Sequence, residues 1–181
     1  TLTTDHDLAV TNNSSTGSLA FTGTANSTKT ANFVNEGAGG MSIGGNVAAK
    51  DVRIINRGGQ LMVFNTNDAV SAGNQVDIVN HGTGGMIIGG IKAEKGITAI
   101  SHKGGLNVKG HLTTEDGGLI AIRNGEGKLQ VLSTGNIEGK GNVSLRNQGA
   151  NGFSIDGTIS NTTGANDAQT ALINEKGAML V

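Results

Sequence analysis

The chain contains no cysteine, no proline, no tryptophan and no tyrosine, and only four phenylalanines among its 181 residues. Each absence removes a class of protein. Without cysteine there is neither a disulfide framework nor a thiolate metal site. Without proline or a strict triplet period, the 31 glycines do not describe collagen, and the apolar share of 35% is too high for a disordered linker. So few aromatics cannot anchor the core of an ordinary globular domain, which leaves a core built from many small layers of Val, Ile, Leu and Met. Charge is scarce as well: 13 Lys and Arg against 14 Asp and Glu give a formal net charge of −1, with no basic run to meet nucleic acid. Apolar runs last only a few residues, against the roughly 20 that a membrane-spanning helix needs, and no secretion-signal pattern opens the chain. The composition reads as one soluble segment, 1–181, cut from a longer protein.

What the sequence does have is a repeat. Two alternating apolar positions are followed by one more residue and then, in seven of eight instances, an asparagine, in Leu8–Asn12, Ala31–Asn35, Val52–Asn56, Val76–Asn80, Ile97–Ser101, Ile120–Asn124, Val143–Asn147 and Thr170–Asn174. The anchors recur every 21 to 27 residues, mostly 21 to 24, a length that suits one coil of a β-helix. A second alternating pair follows a glycine-rich turn, at Leu19/Phe21, Met41/Ile43, Leu61/Val63, Met86/Ile88, Leu106/Val108, Leu129/Val131, Phe153/Ile155 and Met179/Val181. A period of two means strand. A third apolar position closes most coils at Val47, Val70, Ile91, Leu112, Ile137 and Ile159. The predicted fold is therefore all-β, a right-handed parallel β-helix of about eight coils of 21–24 residues, each with three short strands. Eight coils at about 4.8 Å each give a rod on the order of 38 Å long.

Asn12, Asn35, Asn56, Asn80, Asn124, Asn147 and Asn174 are expected to form a ladder of stacked amides, interrupted by Ser101, with the asparagines placed at a bend that favours left-handed backbone. The glycine pairs 39–40, 58–59, 84–85 and 104–105 mark corners. Residues 1–7 are read as a cap, and residues 14–30 and 158–167 as irregular loops leaving the prism. Because the last residues fall inside a predicted strand, the native protein is expected to continue. The residue before each anchor asparagine is apolar at Val34, Ile55, Val79, Ile100 and Ile173 but Arg at 123 and 146. Facing outward, Val34, Ile55, Val79 and Ile100 would form a binding stripe over four coils. Turned inward at the bend they join the core, which is the expected placement.

No catalytic or metal-binding constellation emerges, and no cofactor is implied. Asp77 points outward, but its expected neighbours are Arg53 and Thr98, so it lacks the carboxylate partner a β-helix glycosidase would need. Glu115, Asp116, Glu138 and Asp156 fall at different offsets in or near turns. His81 and His102 follow the anchor on consecutive coils, so they should stack as an exposed pair, with Arg57 and Glu36 continuing the column. Such a pair can serve as a pH-sensitive patch or as two metal ligands, but no third ligand accompanies it. The glycine-rich GGMSIGG and GGMIIGG segments lack the Lys-Ser/Thr of a phosphate loop, and the aspartate frame of calcium-binding nonapeptide repeats is missing.

The alternating phrases ending in Asn, the GTGGMIIGGI of Gly82 to Ile91 and the GLNVKGHL of Gly105 to Leu112 resemble the repeat region of filamentous-haemagglutinin-like exoproteins, secreted by the two-partner route, and of related autotransporter passengers. The secretion domain of that family carries proline-containing NPN-type motifs, which this proline-free chain lacks, so the resemblance implies an interior shaft. It implies an adhesive stalk without enzymatic activity, secreted or held at the Gram-negative outer membrane, which meets host-cell or extracellular-matrix molecules, glycans included. An outer-membrane secretion partner and self-association through coil ends belong to the same expectation. The alternatives are a fragment of a large cytotoxin or toxin-delivery stalk and, from another class, a carbohydrate-cleaving β-helix enzyme.

Overall fold

A strand alternating apolar and polar residues buries only one face, and a coil of three such strands cannot shield its inward side chains alone. Stacking coil upon coil solves both problems. The structure, a computed structural model, describes residues 1–65, 69–162 and 168–181, and among them there is no helix. The strands pair in parallel along three ladders. One ladder runs through the anchor strands, in register from Leu8–Asn12 to Thr170–Asn174. A second, eight-stranded, runs from Leu19–Phe21 to Met179–Leu180. The third begins with Leu2–Thr4 and ends with Thr158–Asn161. Strands Asn46–Asn56 and Val70–Asn80 pass through the third and the anchor positions without a break, which joins those two ladders into one 14-stranded sheet. Their register shifts between Ala49 and Asp51, where the coil turns its corner. Among the described residues seven complete three-strand coils result, with one strand before them and two after, close to the eight expected.

The core is a set of columns. Val52, Val76, Ile97, Ile120 and Val143 stack in register, as do Ile54, Ile78, Ala99, Ile122 and Leu145, all buried. The second ladder contributes Leu61, Met86, Leu106, Leu129 and Phe153, and the third Val47, Val70, Ile91, Leu112 and Ile137. Phe33, among the bulkiest buried side chains, has the small Ala31 two residues before it and Phe21 at 5.1 Å between ring centroids.

Four expectations need correction. Residues 14–30 do not leave the prism: Leu19–Phe21 and Thr24–Ser27 pair with the next coil in register, because Leu19, Phe21 and Ala25 fill the inward positions despite the polar residues between them. In 158–167, Thr158–Asn161 likewise extends the third ladder, and residues 163–167 lie outside the described residues. Within residues 1–7, Leu2–Thr4 is a first strand of the third ladder, paired with Ala25–Ser27. The anchor asparagines themselves are extended strand residues; positive φ falls on the corner glycines, such as Gly59, Gly85 and Gly104, and on Asp116.

Candidate functional site

The anchor asparagines face inward. Asn35, Asn56, Asn80, Asn124 and Asn147 are fully buried, and a buried primary amide is costly unless its donors and acceptor are used. The ladder uses them. Asn12 Nδ2 donates to Asn35 Oδ1 at 2.6 Å, Asn35 to Asn56 at 2.8 Å and Asn56 to Asn80 at 2.8 Å. Beyond the interruption, Asn124 donates to Asn147 at 2.8 Å and Asn147 to Asn174 at 2.9 Å. The same amides close their own corners, as Asn56 Nδ2 does on the Gly58 carbonyl at 2.6 Å. At the interruption Ser101 Oγ donates to the Lys103 and Gly105 carbonyls, both at 3.0 Å. It is too short to bridge its neighbours: Asn80 Nδ2 turns to the Gly82 and Gly85 carbonyls, and Asn124 Oδ1, though buried, accepts no hydrogen bond among the described residues.

An inward asparagine puts the preceding residue outside. Val34, Ile55, Val79 and Ile100 align in register and stand half-buried on the outer face, which corrects their expected core placement. The strand runs on through the anchor residue, so its alternation places the residue before it outward. The stripe continues in register into Arg123, Arg146 and the exposed Ile173. Where apolar column meets arginines, a shallow groove of about 200 Å³ is lined by Thr98, Ile100, Ala121, Arg123, Ser144 and Arg146. Arg146 forms an ion pair with Glu175, while Arg123 donates from Nη2 to the neutral amide oxygen of Gln148 at 2.8 Å. Sequence reasoning treated these arginines as interruptions of the stripe rather than as the edge of a groove. The signal was their place in the repeat, one residue before an anchor.

One residue past the anchor, the backbone bonding continues: the Arg57 amide donates to the Asn35 carbonyl, His81 to Asn56, and His102 to Asn80. These positions therefore form a second outer column of Glu36, Arg57, His81, His102, Gly125, Gln148 and Glu175, in which Gly125 contributes no side chain. Arg57 pairs with Glu36 at 2.8 Å. His81 and His102 stack with ring centroids 4.5 Å apart and planes 10° from parallel. Ring lone pairs lie in the ring plane, so two parallel imidazoles point side by side rather than at one ion. Among the described residues no group of three or more His, Asp or Glu side chains is placed to hold a metal. Desolvation, then His102, then Arg57 push the His81 imidazole below its ordinary range. At the far end, hydrogen bonds from Gln148 and then Arg146 hold the Glu175 carboxyl below the usual carboxylate range.

Of the other candidate carboxylates, Asp77, Glu115, Asp116 and Asp156 have side-chain partners. Asp77 aligns between Arg53 and Thr98, as the spacing predicts, and accepts from Gln75 at 2.6 Å. Glu115 pairs with Lys92 at 2.9 Å, Asp116 with Lys95 at 3.4 Å, and Asp156 accepts from Gln130 at 3.0 Å. Glu138 lies in register with Thr113 and Ser160. The structure therefore places Asp77 in the anchor ladder and Glu138 in the third ladder, with Glu115, Asp116 and Asp156 just past strand ends, and brings together the asparagines, the apolar stripe and the histidine pair.

No family model, no curated protein and no solved structure matches this chain.

Proposed function

We propose that the chain is a shaft segment of a secreted bacterial surface exoprotein of the filamentous-haemagglutinin-like kind, holding binding regions away from the outer membrane and contacting host-cell or matrix molecules through its outer face. The observation that carries this reading is the register of the anchor ladder, unbroken from Leu8 to Asn174. An unbroken parallel stack fixes the spacing of outward side chains at about 4.8 Å per coil and opposes bending with every backbone rung. Outward residues that recur at that spacing act as many weak contacts, which become strong only when several are engaged together. The half-buried stripe from Val34 to Ile100, edged by Arg123 and Arg146, is the face best suited to such contacts. This reading assigns no catalytic step to the segment.

The test compares the chain as free monomer and as a dense coat on beads, each applied to cultured epithelial cells and matrix-coated plates. Retention of the coated beads, lost by at least about tenfold in a Val79→Lys/Ile100→Lys variant with unchanged circular dichroism, is the expected result. Beads that bind no better than bare ones, or that bind equally with the altered stripe, contradict the adhesive reading.

A further inference from the structure

Two independent features meet at one junction of the stack. The rung between Asn80 and Asn124 is the place where the described amide ladder is interrupted, because Ser101 cannot bridge. Across the first half of that rung, His81 and His102 stack face to face at 4.5 Å, exposed to solvent. Elsewhere in the same outer column the charged neighbours are of opposite sign or neutral: Glu36 beside Arg57, and Gln148 beside Glu175.

We propose that the junction between the His81 and His102 coils is an acid-sensitive joint, the place where the shaft opens first when the pH falls below the imidazole range. The charges facing the pair define the effect. Arg57 lies on the preceding coil beside His81, and Glu36, one coil further, compensates it through their ion pair. The His102 turn also holds Lys103, and the next turn places Gly125 in the column with Glu126 after it. When both imidazoles take up protons, two like charges stand at ring-stacking distance with the Arg57 charge beyond them. At other rungs the buried asparagine bonds would resist separation; here the backbone ladder and the apolar columns through Val76/Ile97 and Ile78/Ala99 remain, without an amide bond between coils. The stacked neutral rings hold the joint closed at neutral pH, and protonation converts that contact into repulsion. Repulsion between unit charges about 4 Å apart in water corresponds to about a fivefold change in an equilibrium constant.

The inference is independent of what the shaft binds, and amide hydrogen exchange followed by nuclear magnetic resonance tests it. Protection, corrected for intrinsic exchange, is compared at pH 7.5 and pH 5.0 for the His81 and His102 amides and, as internal references, the Gln148 and Glu175 amides. Protection is expected to fall about fivefold at His102 and less than twofold at Gln148, with the contrast abolished in His81→Gln/His102→Gln. Ser101→Asn, which restores the rung while keeping both imidazoles, is expected to reduce the loss by half or more. An equal fall at both junctions, or a fall that persists without the imidazoles, overturns the proposal. Should the double variant not fold, undiminished acid opening in Ser101→Asn does the same.

Discussion

The coils before Ser101 and those after it share an interior and differ in their outer face. Before it, Asn35, Asn56 and Asn80 point inward, and Val34, Ile55 and Val79 stand outside them. After it, Asn124, Asn147 and Asn174 repeat the inward pattern, while the outer positions become Arg123, Arg146 and Ile173. The inward anchor position keeps asparagine, Ser101 apart, because a buried amide needs a partner one coil away; outward positions meet solvent and are free to differ. In such a stack, the inward columns report stability, and changes along the outward columns mark where surface properties change.

The largest effect should come from breaking the ladder where it is continuous. Asn56→Ala removes the acceptor of Asn35, the donor to Asn80 and the bond to the Gly58 carbonyl. With each orphaned buried group costing about 1–3 kcal/mol, a loss of about 4 kcal/mol is expected in urea denaturation. Asn124→Ala, whose oxygen already lacks a partner, should cost about half as much. Equal losses would mean that the two halves do not differ as described.

Corner glycines give the next contrast. A Cβ on Gly82 would lie 2.0 Å from the Gly59 carbonyl oxygen, a backbone atom of the coil below, whereas one on Gly44 meets nothing within 4 Å. Gly82→Ala should cost about 3 kcal/mol, as overpacking against fixed backbone does, and Gly44→Ala should stay within about 0.5 kcal/mol of the parent, both read from thermal or urea unfolding. A smaller, opposite effect is expected from Ser101→Asn, which supplies both missing ladder bonds and should add about 1 kcal/mol. Destabilisation by this change would show that the rung is shaped for serine.

The smallest effect concerns pH. Because the His81 imidazole is pushed below its ordinary value in the folded chain, chiefly by desolvation and then by His102 and Arg57, the unfolded chain takes up that proton at higher pH. Stability is therefore undiminished above about pH 7 and falls as pH drops through about 6.5 and below, until the folded form also protonates. The urea midpoint of the parent should decline over that window more than that of His81→Gln; parallel declines would remove the histidine from the account.

Much of this architecture was legible because strand alternation is a strong signal when repeated. The inward columns through Val52 and Ile54 followed from the period of two, and the His81–His102 stack followed from their shared place after the anchor. The face of the residue before the asparagine was not legible, since a one-residue shift at a bend exchanges inside for outside. An asparagine is an unexpected core residue until its amide neighbours above and below are known. Residues 14–30 misled for a related reason: their Ser, Thr and Asn composition suggested loop, yet three well-placed apolar residues, Leu19, Phe21 and Ala25, suffice to hold a coil when the next coil supplies its pairing partners. The groove beside Arg123 depends on cross-coil packing that spacing alone does not reveal.

The stack itself is tested most directly by a distance between spin labels, which the cysteine-free chain makes simple to place. Asn32, Arg53, Asp77, Thr98, Ala121 and Ser144 occupy successive rungs of one outward column. Labels at Asn32→Cys and Ser144→Cys, measured by double electron–electron resonance, should lie about 24 Å apart, and moving the second label to Ala121→Cys should shorten the distance by about 5 Å. A narrow distribution that shifts by one rung is the predicted result; a broad distribution, or a distance indifferent to the move, would contradict a stack of parallel coils.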